Sequence, residues 1–221
     1  MAVTRRAAAK KPKARKPAAG AARRAYHHGD LRRALIDAAL ALAAEQGDRF
    51  SLREVARACG VDHTAAYRHF ADKDALLAAV AEEGWRALCA AGVAQIGAAQ
   101  KADQRLLAIG RAYSKFAVEH PAQYLIMTGR RVNLDGRFDS LEAAAQAAFD
   151  SVKSELVRGI AGGDLREVDP VSHTVSLWAA LHGLSHLAIV GRVRVRPEKL
   201  GLFTDRVLGP LVRGLATQKP G

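Results

Sequence analysis

Apolar residues recur at helical spacing along most of the chain from Asp30 onward. The first such segment carries Leu31, Leu35, Ala38, Ala39 and Leu42 at this spacing, and Gly47 follows it as a helix-ending residue. The pattern predicts a helix over 30–46. The same reasoning predicts helices over 52–59, 63–69, 73–92, 102–119, 121–129, 139–161, 170–191 and 197–217. The sequence therefore predicts an all-α fold.

Residues 51–73 contain three side chains that are placed to cap helices. Ser51 and Glu54 have the spacing of a capping box, and Asp62 and Asp72 each precede a predicted helix. Gly60 can supply a turn position with positive φ between the first two of these helices. Two short helices separated by a short turn predict a helix-turn-helix over 51–70.

The side chains of this segment fall into an inward and an outward set. Ala56 is small enough for the two helices to cross closely. The inward set is Val55, Cys59, Val61, Ala66 and Phe70, and the outward set is Arg53, His63, Thr64, Ala65, Tyr67, Arg68 and His69. An exposed face of this kind is typical of a helix that enters the major groove of DNA.

The positive charge of the chain is concentrated at its beginning. The net charge is +12, and residues 1–24 contain nine Lys or Arg and no acid, whereas the remaining residues carry 25 basic and 22 acidic side chains. Pro12 and Pro17 interrupt any helix there, so residues 1–25 are expected to form a disordered basic arm. Such an arm favours a polyanionic partner, above all nucleic acid, and a purely solubilising tail is the alternative.

The remaining composition argues against other classes of protein. Cys59 and Cys89 each lie singly in a helical pattern, which predicts neither a disulfide framework nor a zinc site and fits the cytoplasm. We find no segment apolar enough to cross a membrane and no signal-peptide pattern. There is no Gly-rich phosphate loop or nucleophile elbow. We therefore expect no catalytic site, no metal, no cofactor and no membrane partner.

The run from Tyr26 to Val80 resembles the N-terminal domain of the tetracycline-repressor (TetR) family. The marks of the resemblance are Ala56, Gly60-Val61, Tyr67, His69-Phe70 and Lys73, at the family's spacing. The resemblance implies a three-helix helix-turn-helix domain over 26–84 and a larger helical domain for effector binding and dimerisation over 85–217. It further implies a cytoplasmic, homodimeric transcriptional regulator, by default a repressor, that a small molecule releases from a palindromic operator.

The resemblance also implies roles for individual residues. Tyr67 and His69 would bind phosphate oxygens, and Lys73 would add its charge at the start of a helix. The base edges would be met by His63, Thr64 and Ala65, and Ser51, Arg53 and Arg68 complete the expected DNA-binding set. Many family members have Gly-Thr where this chain has Thr64-Ala65, so the operator sequence cannot be carried over.

The pattern Trp178-x3-His182-Gly183 is similar to a Trp-His-Gly subtype of the TetR C-terminal domain. A ligand pocket would group Tyr113, Phe116, Tyr124, Met127, Trp178, His182 and His186. The alternative is that these residues are ordinary core. The helices over about 170–217 carry broad apolar faces and are expected to form the homodimer interface.

A second function remains open for the whole chain. A nucleoid-associated protein could use the basic arm to bind DNA with little sequence preference. The well-formed helix-turn-helix and the large C-terminal half favour the regulator, because a non-specific DNA-coating protein requires neither.

Overall fold

The computed structural model describes residues 30–97, 101–129, 133 and 136–216. These residues form nine α-helices: α1 Leu31–Gln46, α2 Leu52–Ala58, α3 His63–His69, α4 Lys73–Val93, α5 Ala102–Glu119, α6 Pro121–Thr128, α7 Asp139–Ala161, α8 Pro170–Ile189 and α9 Leu200–Arg213. The predicted all-α fold is confirmed. The predicted basic arm over 1–25 lies outside the described residues. So do residues 26–29, where the resemblance to the TetR family begins.

The predicted caps hold the first helices. Ser51 accepts a hydrogen bond from the Glu54 amide while the Glu54 carboxylate accepts one from the Ser51 amide, which completes the capping box before α2. Asp62 caps α3 through the Thr64 amide, and Asp72 caps α4 through the Ala75 amide. Short polar side chains at these positions satisfy amide groups that have no partner within the helix.

The last two helices end earlier than the sequence pattern predicts. Gly191 has a positive φ of 73° directly after α8, a conformation that stops helical hydrogen bonding. Residues Pro197–Lys199 form a short 3₁₀ turn before α9 begins. Beyond α9 the backbone turns away, because the amide of Arg166 donates to the carbonyl of Leu215 at 2.8 Å.

Two hydrophobic clusters lie within the compact unit that residues from Leu31 onward form. The smaller cluster holds buried side chains of α1 to α3 and of the beginning of α4, among them Leu35, Ile36, Val55, Phe70 and Leu76. The larger one joins the remainder of α4 with α5 to α9. The expected domain boundary at residues 84 and 85 falls inside α4, which contributes to both clusters.

One ion pair is buried beside the larger cluster. The Arg105 Nε lies 2.7 Å from the Glu155 Oε2, and both side chains are about nine-tenths buried. The Glu155 carboxylate also accepts hydrogen bonds from Arg158, so each carboxylate oxygen has a partner. This pair ties α5 to α7 near the end of the bundle that is distant from the helix-turn-helix.

No described helix is both long and apolar enough to span a bilayer.

Candidate DNA-binding surface and effector cavity

The turn between α2 and α3 has the geometry that the sequence predicts. Gly60 has a positive φ of 71°, and the amide of Val61 donates back to the carbonyl of Ala56 at 3.0 Å. Ala56 is 1% exposed, which leaves room for α2 and α3 to cross closely. Cys59 is half-buried and its thiol donates to the carbonyl of Ala34 at 3.4 Å, which places it against α1 as a small core residue.

Helix α3 is divided into a buried and an exposed face. Ala66 is fully buried and Phe70, directly after the helix, is 4% exposed, so Phe70 is the core aromatic that the sequence predicts. Tyr67 is 45% exposed. The other exposed residues are His63, Thr64, Arg68 and His69 on α3 and Ser51 and Arg53 at the start of α2, whereas Ala65 is half-buried. Both short helices thus present polar side chains to solvent.

The beginning of α3 is ordered by the Asp62 carboxylate. The Thr64 hydroxyl donates to it at 2.7 Å, and the Thr64 amide donates at 2.9 Å. These hydrogen bonds lower the pKa of Asp62, with the Thr64 hydroxyl as the largest cause. Because the hydroxyl hydrogen is used within the helix, Thr64 offers its methyl group and oxygen lone pairs outward. The His63 ring lies edge-on to the Tyr67 ring, with 6.4 Å between centroids.

The Lys73 side chain makes two contacts within the protein, in addition to the DNA-binding role that the sequence predicts. Its ammonium donates to the backbone carbonyl of Asp48 and lies 4.8 Å from the centre of the Phe50 ring. The side chain is half-buried and fastens the segment before α2 to the first turn of α4. Its charge therefore stays next to the N-terminus of α4, where Asp72 caps the helix.

A cavity of about 60 Å³ lies between α4, α5, α7, α8 and α9. Two of the predicted pocket residues, Tyr113 and Trp178, line it. Most of the other lining residues are apolar or small, among them Trp85, Leu88 and Cys89 on α4, Ala145, Ala148, Phe149 and Val152 on α7, and Leu177 and Leu181 on α8.

The other predicted pocket residues lie behind the cavity or away from it. Phe116 is buried and packs near His120 with ring centroids 5.0 Å apart. The space that a Cβ of Gly84 would need is occupied by the Met127 side chain, so Met127 packs against α4. His186 is exposed and stacks on His182, with centroids 6.2 Å apart.

A chain of hydrogen bonds leads from the cavity wall to α6 and back to α8. The Trp178 Nε1 donates to the Tyr113 hydroxyl at 3.2 Å, and the Tyr113 and Tyr124 hydroxyls are 3.0 Å apart. The Tyr124 hydroxyl is 2.9 Å from the His182 Nδ1. Burial raises the pKa of both tyrosines, and burial followed by the nearby His186 lowers the pKa of His182. All three groups are therefore neutral at pH 7.

Helix α6 connects the two hydrophobic clusters. The Gln123 side chain donates to the carbonyl of Val80 on α4 at 3.1 Å, and Ile126 packs against both clusters. Tyr124, between them in sequence, is completely buried and belongs to the hydrogen-bonded chain. A displacement of Tyr124 would therefore be transmitted to α4 through Gln123 and Ile126.

Within the described part of the chain, no three His, Cys, Asp or Glu side chains gather as they would at a metal site.

Two family models match the sequence. The model described as bacterial regulatory proteins, tetR family, matches residues 35–80, which carry the helix-turn-helix. The model described as tetracyclin repressor-like, C-terminal domain, matches residues 106–210. The chain belongs to the TetR family. This family consists of transcriptional regulators whose helix-turn-helix binds DNA, and TetR membership agrees with the all-helical fold and the polar surface of α3.

Two individual proteins are similar to this chain over very different lengths. An uncharacterized HTH-type transcriptional regulator of Haemophilus influenzae is 51% identical over 55 residues, which are 24% of this chain and 27% of that protein. The chain thus spans about a quarter of the curated relative that it matches. A solved protein of unknown function from Rhodococcus sp. RHA1 is 32% identical over 88% of this chain and 100% of that chain, with a TM-score of 0.76.

A third relative is similar in fold alone. The transcriptional regulator FadR from Bacillus subtilis, solved in complex with stearoyl-CoA, has a TM-score of 0.71 at 18% identity, over 83% of this chain and 98% of that chain.

Proposed function

We propose that this TetR-family protein is a dimeric, sequence-specific transcriptional repressor that leaves its palindromic operator when a small molecule fills the C-terminal cavity. The observation that carries the proposal is α3, which has a buried back formed by Ala66 and an exposed front formed by His63, Thr64, Tyr67 and Arg68. A core helix would not leave Tyr67 nearly half exposed, whereas a helix that enters a DNA groove requires such a front.

The proposed contacts divide into phosphate and base contacts. Tyr67 and His69 donate to phosphate oxygens and fix the position of the domain, with Ser51, Arg53 and Arg68 adding hydrogen bonds and charge. His63, Thr64 and Ala65 lie at the leading end of α3 and meet base edges, where the Thr64 methyl suits a thymine methyl. Lys73 acts through its charge at the N-terminus of α4 and by fixing the segment that precedes α2.

A homodimer through α8 and α9 explains the apolar surface of these helices. Each exposes large apolar side chains to solvent in the single chain, namely Val171, Val175, Trp178 and Leu187 on α8 and Leu202 and Leu211 on α9. A face of this kind on two adjacent helices fits a two-fold, four-helix interface. Such a dimer places two copies of α3 on a palindromic site.

The effector is proposed to act through α6. Filling the cavity displaces Trp178 or Tyr113, and the hydrogen-bonded chain passes that displacement to Tyr124 on α6. Since Gln123 and Ile126 of the same helix contact α4, the position of α3 would change with it. The stearoyl-CoA complex of the FadR protein supports a small-molecule effector in this fold. Trp178, His182 and Gly183 on α8 support the Trp-His-Gly subtype, and we propose a cytoplasmic location on the nucleoid.

Selection of preferred sites from random DNA by the full-length protein tests sequence-specific DNA binding. We expect a palindromic motif that persists without residues 1–24. Tyr67→Phe, which keeps the ring and removes the hydroxyl, should weaken all sites by about tenfold or more in a dimer while the motif stays unchanged. His63→Ala should change the preferred bases. The proposal fails if no motif emerges and removal of residues 1–24 alone abolishes DNA binding.

Light scattering of the purified protein tests the dimer. Val175→Glu places a charge on the exposed face of α8 and should give monomers. Val157→Glu is the matched control, because Val157 on α7 is equally exposed, at 48% against 49% for Val175. A monomeric wild-type protein, or equal effects of the two variants, would overturn the proposed interface.

A further inference from the structure

Three aromatic rings lie together in the lining of the cavity. The Trp178 ring lies edge-on to Trp85 and to Phe149, with centroid distances of 6.1 Å and 6.3 Å. All three residues line the cavity, and they come from α8, α4 and α7. An aromatic lining of this kind suits an apolar ring, because aromatic rings pack favourably edge-on or offset against one another.

The cavity offers no counter-ion to a ligand. None of its lining residues within the described chain is charged. The hydroxyls of Thr174 and Ser151 donate to backbone carbonyls of their own helices, both at 2.7 Å. A carboxylate or phosphate inside the cavity would lose its hydration without a paired charge, which is strongly unfavourable.

The Tyr113 hydroxyl lines the cavity and can either donate a hydrogen bond to a ligand or accept one. Its hydroxyl accepts from the Trp178 Nε1 and shares a hydrogen bond with Tyr124, which in turn bonds to His182. When Tyr124 donates to the His182 Nδ1, Tyr113 donates to Tyr124 and its remaining lone pair can accept from a ligand. When the His182 Nδ1 carries the proton, Tyr124 donates to Tyr113, and the Tyr113 hydrogen is free to donate to a ligand.

The volume of the cavity limits the size of a ligand. An apolar cavity that admits a benzene ring has a volume of about 150 Å³, whereas this one has about 60 Å³. Even a single ring must therefore push the surrounding helices apart. Ligand binding in this cavity is therefore coupled to movement of the surrounding helices.

Building on the proposed function, we propose that the effector is a compact, uncharged, largely apolar molecule with one ring and a single hydrogen-bonding group, which Tyr113 recognises. A long acyl chain with a charged head group, such as the ligand of the FadR protein, does not fit these properties. The uncharged class follows from the lining, and the compact size follows because the helices must already move apart to admit one ring.

Four commercial compounds test this inference on the full-length protein: benzyl alcohol, toluene, benzoate and stearoyl-CoA. The chain contains two tryptophans, and both line the cavity, so intrinsic fluorescence reports its occupancy. We expect saturable changes with benzyl alcohol and toluene and at least about tenfold weaker binding of benzoate. Tyr113→Phe should weaken benzyl alcohol by about 2–10-fold and leave toluene unchanged.

The control for location is Ala148→Phe, which fills the cavity and should abolish the response, with folding checked by thermal unfolding. Tighter binding of benzoate or stearoyl-CoA than of benzyl alcohol would overturn the inference. So would an equal effect of Tyr113→Phe on benzyl alcohol and toluene. Operator binding without any compound is measured separately. If it is normal and no compound acts, the effector class alone is wrong, whereas loss of the selected motif refutes the proposed function.

Discussion

The Tyr124 hydroxyl should contribute measurably to the stability of the fold. Tyr124 is completely buried, and its hydroxyl lies 3.0 Å from that of Tyr113 and 2.9 Å from the His182 Nδ1. Tyr124→Phe keeps the ring and removes both hydrogen bonds. Leaving a buried polar group without a partner costs about 1–3 kcal/mol. Tyr113 still accepts from Trp178, and half-buried His182 can reach water, so the loss should lie near about 1–2 kcal/mol.

Thermal and urea unfolding at one fixed protein concentration measure this effect, because the proposed dimer would make stability depend on concentration. A loss of about 1–2 kcal/mol lowers the melting temperature by about 2–8 °C in a chain of this size. Tyr67→Phe removes an exposed hydroxyl and should change stability by less than about 0.5 kcal/mol.

A double variant tests whether the two buried hydroxyls act together. Tyr113→Phe with Tyr124→Phe removes both partners of one hydrogen bond, so its cost should fall short of the sum of the single costs by at least about 0.5 kcal/mol. If Tyr124→Phe behaves like Tyr67→Phe and the two buried substitutions are additive, the hydrogen-bonded chain does not stabilise the protein.

Three further perturbations follow from the structure. Burial lowers the pKa of His182 below 6.5, so the unfolded state binds more protons and stability should fall as the pH drops below that value; urea titrations should show a flatter profile for His182→Phe. Glu155→Ala removes the carboxylate from buried Arg105 and should cost about 3 kcal/mol by the same method. Gly159→Ala would place a Cβ 2.6 Å from that of Ala102 and should lower the melting temperature, at a cost of about 1–3 kcal/mol.

Local sequence rules predicted the helices and the helix-turn-helix closely. The helices over 63–69, 102–119 and 139–161 have the predicted bounds. The reason is that capping side chains, glycines and prolines act over three or four residues. Where a tertiary contact determines an end, as with the pairing of Arg166 and Leu215 after α9, the local pattern predicted too long a helix.

The cavity was less predictable than the DNA-binding surface. Tyr113 and Trp178 were identified as aromatic residues on separate helices, but Trp85 on α4 and Phe149 on α7 were missed. Their meeting depends on how α4, α7 and α8 pack, and helical periodicity determines only which face of each helix is apolar. The alanines that precede Phe149 were an available signal, because small side chains leave room between helices.

The two ends of helix α4 belong to different parts of the protein. Its 21 residues span about 31 Å. Leu76, Leu77 and Val80 pack beneath the helix-turn-helix, whereas Trp85, Leu88 and Cys89 line the cavity. A tilt of about 5° moves the far end by about 3 Å. If the proposed function holds, substitutions near residues 85–92 should change which small molecule the cavity accepts, whereas the beginning of the helix would keep the same support for the helix-turn-helix.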